Sequence, residues 1–308
     1  MSRPFYFCLC YNYLTTLFQV VVDDCTHNSH LFGAHTRRPE FGAIAIMIQI
    51  QENIPLAQYT TFKIGGNARY FCVIQDTGEL RQARAFAEKK GVPVFILGGG
   101  SNILVSDDGF PGLVIKNEIK GIFYEKQPDG KTFVTVGAGE NWDTFVADTI
   151  SHGLGGLENL SGIPGTVGAS PIQNIGAYGK EARSTIYSLT AIDQVTGEEK
   201  VFFHAECDFG YRHSFFKTPA GKKWIITQVC FLLDSNEAIS IEYKDLIAYF
   251  SGKDTTKLSR QDVREAVLSI RYAKLPELKT LGTAGSFFKN VTISKEQYES
   301  LKIKWPDL

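Results

Sequence analysis

Residues 153–180 read GLGGLENLSGIPGTVGASPIQNIGAYGK, and this stretch decides how the rest of the chain is interpreted. It is dense in glycine, carries only two charged residues and has no helical or strand period. Gly162, Gly165 and Gly168 recur at every third position, and glycine lets a ligand approach the main chain closely. A path of exposed main-chain N–H groups forms a concavity that holds phosphate. The stretch therefore predicts a ligand-binding loop, with an ordinary glycine-rich surface loop as the alternative.

A second glycine-rich turn, at residues 98–102, favours the ligand-binding interpretation. Residues 92–97 have the composition of a buried strand and lead directly into GGGSN. Such a strand end commonly brings main-chain N–H groups to a pyrophosphate. Gln173 and Asn174 carry amides that donate and accept at once, which suits the edge of a flat heterocycle. There is no GxxxxGK(S/T), and no GxGxxG opens a helix after a strand, so neither a P-loop nor a Rossmann fingerprint is predicted.

Composition limits the class of protein. The chain has 308 residues, 44% hydrophobic and 12% aromatic, which is enough to bury a sizeable core. Its net charge of −1 argues against a nucleic-acid partner, since neutralising phosphates needs a basic face. Six cysteines without framework spacing indicate a reducing compartment. His152, His204 and His213 form no metal-ligand pattern, and HExxH, CxxC and GxSxG motifs are missing, so no metal site is predicted.

Residues 1–46 are interpreted as an extension that is disordered or not native. Their apolar first half is interrupted by tyrosines and an asparagine and lacks a clean cleavage site, so a secretory signal is not favoured. The run is also too short and too polar for a membrane span. Cys25, His27 and His30 are metal-binding residue types, but a solvated tail is the favoured interpretation.

Residues 47–106 predict a small α/β lobe. A strand ends near Phe71, and a helix over Gly78–Lys90 carries its apolar residues on one face. Gly91 is the expected residue after the helix end.

Residues 107–273 predict a second, mixed α+β lobe. A Pro-Asp-Gly turn at residues 128–130 separates two apolar runs and indicates a hairpin. Asn141 is an expected helix cap. Strands are predicted around residues 188–192 and 224–231.

A further helix is predicted near the end of the second lobe. Ser259, followed by Asp262, has capping-box spacing, and Pro276 forbids continuation of the helix. Residues 274–308 are then interpreted as a separate segment that begins where this helix ends.

Four segments, taken in order, resemble the signatures of the UDP-N-acetylenolpyruvoylglucosamine reductase family. They are GGGSNILVSDDGFPGLVI from residue 98, SGIPGTVGASPIQNIGAYG from residue 161, FGYRHSFFK from residue 209 and GTAGSFFKN from residue 282. The resemblance implies an α+β, two-lobed FAD-binding fold of the vanillyl-alcohol oxidase (PCMH) type, with FAD between the lobes. It also implies that residues 274–308 begin a third, incomplete α+β domain that binds substrate. It also implies NADPH as co-substrate, a UDP-sugar substrate, cytoplasmic localisation and a monomer, with no membrane or nucleic-acid partner.

The resemblance also assigns roles to individual residues. The implied cofactor-binding residues are Gly98, Gly99, Gly100, Ser101, Asn102, Gly162, Ile163, Gly165, Thr166, Gly168, Ala169, Ser170, Gln173 and Asn174.

Two residues match the catalytic positions of the family. Arg212 matches the arginine at the enolpyruvyl carboxylate, for which a planar, permanently charged fork is suited. Ser286 matches the serine that gives a proton to C2 of the substrate. From residue type alone, a surface ion pair and a turn serine are the respective alternatives.

Other residues match the family's nucleotide-contacting positions. Tyr243, Lys274 and Asn290 are the implied contacts with the UDP moiety, with strand, solvated and turn roles as alternatives. Phe287 and Phe288 are expected to anchor the Ser286 loop to the core.

The sequence departs from the family in two places. The family continues past the equivalent of Leu308 and carries a further catalytic glutamate there, and Val291 stands where it usually has proline. Two hypotheses therefore remain: an active reductase, or an inactive FAD-binding remnant without that glutamate. Another oxidoreductase of the same flavin fold is a weaker third hypothesis.

Overall fold

A computed structural model describes residues 48–277 and 280–306. These residues belong to one compact unit of the chain, Met47–Leu308. The interpretation of residues 1–46 as an extension falls outside the described residues.

The first lobe is a four-stranded sheet covered by one helix. Its elements are β1 (Gln51–Pro55), β2 (Asn67–Ile74), α1 (Thr77–Lys90), β3 (Val94–Leu97) and β4 (Phe110–Asn117), with strand order β1-β2-β4-β3. β4 runs parallel to both β2 and β3, while β1 is antiparallel to β2. The predicted helix is confirmed: Asp76 caps its start by accepting from the Glu79 N–H, and Gly91 follows its end with φ 62°.

The predicted boundary between residues 106 and 107 is wrong. β4 lies in the middle of the first sheet, so this lobe extends at least to Asn117. Leu113, Val114 and Ile115 are all fully buried, because a central parallel strand is covered on both faces. Such a strand lacks the apolar–polar alternation that would have revealed it.

The second lobe is a five-stranded antiparallel sheet of strand order β10-β9-β11-β6-β5. Its elements in chain order are β5 (Ile122–Lys126), β6 (Lys131–Gly137), α2 (Trp142–Ser151), the two-residue strands β7 (Gly176–Ala177) and β8 (Lys180–Glu181), then β9 (Ile186–Asp193), β10 (Glu199–Phe203) and β11 (Trp224–Asp234). The β5–β6 hairpin and the α2 cap at Asn141 confirm the predictions. The ring of Phe145 on α2 lies 5.0 Å from that of Phe231 on β11, within the core of this lobe.

The two lobes share apolar and polar contacts. Ile192 and Ile225 of the second sheet are buried in a cluster formed mainly by residues of the first lobe. The Asn117 amide donates to the Ile226 carbonyl at 3.0 Å. Arg84 of α1 donates to the carbonyl of Gln194 at 2.7 Å, just beyond the end of β9. These contacts fix the two lobes against each other.

Three helices complete the described chain: α3 (Lys244–Tyr249), α4 (Arg260–Lys274) and α5 (Lys295–Lys304). The predicted Ser259–Asp262 capping box of α4 is confirmed. No described helix has both the length and the apolar character needed to cross a membrane.

The segment after α4 returns to the first lobe. The Thr283 N–H donates to the Thr61 carbonyl at 2.9 Å, and the Thr61 hydroxyl donates to the Thr283 carbonyl. The expected anchoring by Phe287 and Phe288 is wrong: their exposures are 57% and 63%, and the two rings contact each other edge to face. Neither ring enters the core, because this loop is attached through main-chain hydrogen bonds of Thr283 instead.

Candidate cofactor and substrate site

The two glycine-rich stretches, the first loop (residues 98–102) and the second loop (residues 153–180), touch each other. A Cβ atom on Gly99 would lie 2.6 Å from the Gly165 Cα atom, and one on Gly98 would lie 2.7 Å from the Thr166 hydroxyl. Ser101 donates its hydroxyl hydrogen to the Pro164 carbonyl at 2.8 Å. Gly99 has no room for a side chain because main chain meets main chain there, whereas at Gly98 the space is taken by the Thr166 side chain.

The contact leaves a row of main-chain N–H groups without protein acceptors. Within the described chain, no protein acceptor is present for the N–H groups of residues 99–102, nor for those of Ile163, Gly165 and Thr166. Gly100 has φ 63° and Gly165 has φ 136°, so the chain turns repeatedly as it presents these groups. Runs of free N–H groups in such turns bind anions. The residues present therefore fit the pyrophosphate of a dinucleotide cofactor.

The second loop is attached to the junction between β6 and α2. Trp142 contributes two bonds: its main-chain N–H donates to the Gly165 carbonyl at 3.1 Å and its indole N–H to the Leu160 carbonyl at 2.9 Å. The N–H groups of Val167 and Gly168 donate to carbonyls just before α2. These bonds fix the path of the loop although it contains hardly any regular structure.

The side-chain amides of Asn174 and Gln173, which the sequence predicts to meet a heterocycle, form hydrogen bonds within the protein. Asn174 is fully buried, and its amide donates to the Gly210 carbonyl at 3.0 Å and to Glu181 while accepting from the Arg183 N–H. Both ends of the amide therefore hold the loop in place, and a contact of Asn174 with a cofactor stays a prediction. Gln173 is half-buried and accepts from the Asn102 amide at 3.0 Å, which joins the two loops.

Two of the remaining cofactor candidates differ in exposure. Ser170 is buried and donates to the Val167 carbonyl at 2.8 Å, while Ala169 is exposed. Ser170 therefore supports the loop from inside.

Arg212 lies against the second loop. Its guanidinium donates to the Gly176 carbonyl at 2.7 Å, and its own main chain is left-handed with φ 52°. Within the described chain, no carboxylate forms an ion pair with it. The site therefore contains a half-buried positive charge that is oriented by carbonyls and available to an anion.

Lys217 supports the strained turn at Arg212. Its ammonium donates to the Arg212 carbonyl at 3.1 Å. Burial, and secondarily the positive charge of Lys289, lower the pKa of Lys217 below its usual value. Lys289 follows Phe288 in the loop that carries Ser286. Because its charge acts on Lys217, this loop lies near the Arg212 turn.

Strained residues cluster in this region. Asn174, Tyr178 and Arg212 all have left-handed main chain, with φ of 49°, 48° and 52°. Left-handed non-glycine residues are costly and concentrate at functional sites. The cluster is independent support for a site at the second loop.

Two of the three predicted nucleotide contacts lie together. The Tyr243 and Tyr178 rings are 5.4 Å apart, edge to face, and Tyr243 is the residue immediately before α3. Lys274, at the end of α4, pairs with Asp245 of α3 at 2.6 Å. The hydrogen bond that Lys274 donates to Asp245 is the chief cause that raises the pKa of Lys274, which keeps this lysine charged.

Ser286 and Asn290 are both exposed, and neither side chain has a hydrogen bond within the described residues. The structure therefore places both at the surface of the loop that joins the first lobe at Thr61.

Sequence reasoning missed three charged residues beside the second loop. Asp143 accepts from the Gly162 N–H at 2.6 Å and forms a two-bond ion pair with Arg264, at 2.6 and 2.9 Å. A Cβ atom on Gly162 would lie 3.0 Å from Arg271 Nε. The available signal was the spacing of Arg264 and Arg271, which places both on one face of α4.

The fold and the loops define a class of protein. A family model described as an FAD binding domain matches residues 68–202, and the two-lobed α+β fold with paired glycine-rich loops and free N–H groups agrees with that class. Within the described chain, no group of side chains could hold a metal ion.

Known relatives identify the family. A UDP-N-acetylenolpyruvoylglucosamine reductase of Pseudomonas putida is 42% identical over 84% of this chain and 76% of its own length. The reductase of the same name from Flavobacterium johnsoniae is 42% identical over 85% of this chain and 77% of its own. The chain belongs to the UDP-N-acetylenolpyruvoylglucosamine reductase family.

A solved structure agrees with this assignment. The UDP-N-acetylenolpyruvylglucosamine reductase of Thermus caldophilus is 26% identical, with a TM-score of 0.58 over 82% of this chain and 80% of that one.

Proposed function

We propose that this chain reduces UDP-N-acetylglucosamine enolpyruvate to UDP-N-acetylmuramate for peptidoglycan synthesis, using NADPH and FAD. Family membership supports the reaction. The observation that carries it is the second loop together with Arg212, which lies against it: the loop has unpartnered N–H groups and the Arg212 guanidinium has no carboxylate partner in the described chain. The loop thus offers a site for a pyrophosphate, and Arg212 offers one for a carboxylate.

The net reaction adds a hydride to C3 and a proton to C2 of the enolpyruvyl double bond, while NADPH becomes NADP⁺. Bound FAD would carry the hydride from NADPH to the enolpyruvyl substrate. The residues of the chain must therefore bind the carboxylate, stabilise the negative charge that develops on it and provide the proton.

Arg212 binds the substrate carboxylate in this proposal. Its bond to the Gly176 carbonyl fixes the guanidinium before substrate arrives, and Lys217 fixes the strained turn behind it. A donor held in place in advance stabilises developing charge without reorganisation.

Ser286 donates the proton to C2. Replacing Ser286 with alanine should leave NADPH-dependent bleaching of the flavin unchanged and slow the later reoxidation by the enolpyruvyl substrate by about 100-fold, the usual size of an acid–base contribution. Ser251→Ala is the control, since Ser251 is exposed and its side chain has no hydrogen bond in the described structure. An equal loss in both half-reactions would refute the role of Ser286.

Tyr243, Lys274 and Asn290 bind the UDP moiety. For Tyr243 and Lys274, this is supported by their position beside Tyr178. An aromatic ring suits the base of the nucleotide, and an ammonium suits its diphosphate. Residues from 274 onward would then contribute to a substrate-binding region. We further infer a cytoplasmic monomer, which size-exclusion chromatography and fractionation would test.

The deciding experiment is an anaerobic absorption spectrum of the purified chain, followed by NADPH and then substrate. Bound flavin that NADPH bleaches and the enolpyruvyl substrate restores would support the whole proposal. Flavin that is bleached but not restored by substrate would identify an FAD-binding remnant. A chain that binds no flavin would overturn the proposal.

A further inference from the structure

An ion pair joins three separate segments next to the row of free N–H groups. Asp143 lies in the first turn of α2, Arg264 lies on α4, and Gly162 lies in the second loop. One Asp143 oxygen accepts from both the Gly162 N–H and Arg264, each at 2.6 Å, and the other accepts from Arg264 at 2.9 Å. The Arg264 side chain is only 12% exposed, and that of Asp143 is 33% exposed.

The pair determines which way the Gly162 peptide faces. Gly162 has φ 70°, and a Cβ atom there would lie 2.8 Å from Leu268 and 3.0 Å from Arg271. The peptide is therefore held between the Asp143 carboxylate on one side and α4 on the other. Its N–H turns to the protein, while those of Ile163 and Gly165 have no protein acceptor in the described chain.

A carboxylate at this position creates an electrostatic conflict. Asp143 is the anchor for Gly162, yet an unneutralised negative charge beside an N–H path that receives a pyrophosphate would repel it. Arg264 removes the conflict, because its fork covers both carboxylate oxygens and cancels the charge. The arginine thus lets an acidic residue support an anion site.

We propose that Asp143 and Arg264 form a positioning pair for the cofactor: Asp143 fixes the Gly162 peptide, and Arg264 both ties the loop to α4 and shields the cofactor phosphates from the Asp143 charge. The inference rests on the proposed binding of FAD. Neither residue is proposed to touch the cofactor.

The pair predicts a non-additive effect on FAD affinity, measured by quenching of flavin fluorescence. Arg264→Gln removes the fork that covers the carboxylate, so that only the charge of Arg271 still acts on it, and should raise the Kd for FAD about tenfold, in the range of one lost charge-assisted hydrogen bond. Adding Asp143→Asn to that variant removes the negative charge while keeping an acceptor for Gly162, so the double variant should bind FAD more tightly than Arg264→Gln alone.

Asp148→Asn is the matched control, because Asp148 lies on the same helix and its carboxylate binds the Tyr124 hydroxyl instead of the loop. It should leave the Kd within about twofold of the parent. An Arg264→Gln Kd within twofold of the parent, a double variant that is weaker still, or an equal shift in Asp148→Asn would each overturn the proposal.

Hydrogen exchange separates this inference from the proposed function, since it needs no FAD. Peptides covering residues 160–168 of the FAD-free chain should exchange faster in Asp143→Ala than in Asp148→Ala. Equal exchange would overturn the positioning role. A parent chain that binds no FAD would overturn the proposed function, and the exchange comparison would still decide whether Asp143 holds the loop.

Discussion

Single residues in this site are held by the main chain around them as much as by other side chains. Arg212 illustrates this, since its guanidinium is oriented by a carbonyl of the second loop, and its own carbonyl is held by Lys217. A left-handed arginine is strained, so these two bonds stabilise a conformation that the residue would not adopt alone.

Arg212→Lys keeps the charge but loses the planar fork. We expect kcat/KM for the enolpyruvyl substrate to fall about 100-fold, comparable with removal of one charge-stabilising donor, while flavin bleaching by NADPH is unchanged. Stopped-flow absorbance measures both steps. Arg183→Lys is the control, because Arg183 already pairs with Glu181 at 2.7 Å. A similar loss of kcat/KM in Arg183→Lys would show that the effect is not specific to Arg212.

Asp143 gives the folded state a pH dependence of known sign. Partial burial would raise the pKa of its carboxyl, but the hydrogen bonds from Arg264 and Gly162 and the charges of Arg264 and Arg271 together hold it below the ordinary 3.8. A folded pKa below the unfolded one means that the stabilisation is present above the unfolded pKa and is lost as the pH falls through the folded pKa.

The stability difference between the parent chain and Asp143→Asn should therefore stay constant from about pH 7 to about pH 5 and shrink below about pH 4. Urea midpoints measured across this range test the sign. Arg264 and Arg271 remain charged throughout, so they contribute no change of their own. A difference that grows as the pH falls would contradict the assignment.

At the scale of elements, the site is built from two irregular loops held by regular neighbours. The first loop begins where β3 ends, and the second is fastened to the start of α2 and, through Asp143 and Arg264, to α4. The strands and helices supply rigidity, and the loops supply free N–H groups.

Gly99→Ala tests the contact between the loops. Because the added Cβ would lie 2.6 Å from the Gly165 main chain, the loops must separate. We expect a loss of about 1–3 kcal/mol in unfolding free energy, typical of overpacking, together with weaker FAD binding. Both are measurable by denaturant titration and flavin fluorescence.

Gly78→Ala is the corresponding control. Gly78 lies inside α1 and its added Cβ would meet only the Asp76 side chain, at 3.1 Å or more. It should gain up to about 1 kcal/mol from helix propensity and leave FAD affinity unchanged. Equal destabilisation of both variants would argue against a special contact at Gly99.

At the scale of the whole molecule, the lobes are not independent. Ile192 and Ile225 of the second lobe are buried among residues of the first, and Arg84 bonds to the carbonyls of Gln194 and Val195 across the boundary. This shared core holds the two lobes at a fixed separation.

The shared core predicts one cooperative unfolding transition for both lobes. Thiol labelling read out by mass spectrometry reports on the buried Cys72 in the first lobe and on the buried Cys207 in the second. The two midpoints should coincide. Arg84→Ala should lower both by the same amount, about 1 kcal/mol, whereas Arg81→Ala, on the exposed face of α1, should change neither. Two separate transitions would contradict the shared core.

The features that the sequence by itself determined are those whose causes are local. The α1 end at Gly91, the cap at Asn141, the Ser259–Asp262 box and the hairpin at residues 128–130 were all predicted, because the deciding interactions join residues a few positions apart. The family was also predicted, since its motifs are contiguous.

Tertiary structure alone decided the rest. β4 joined the first sheet through pairing with two strands, Asn174 proved to be buried, and Asp143 met Arg264 across 121 residues of chain. No local pattern marks such contacts, because their free energy comes from burial and from partners that are adjacent only in the folded chain. The sequence could name a glycine-rich loop, but only the fold shows which of its N–H groups are free to bind a ligand.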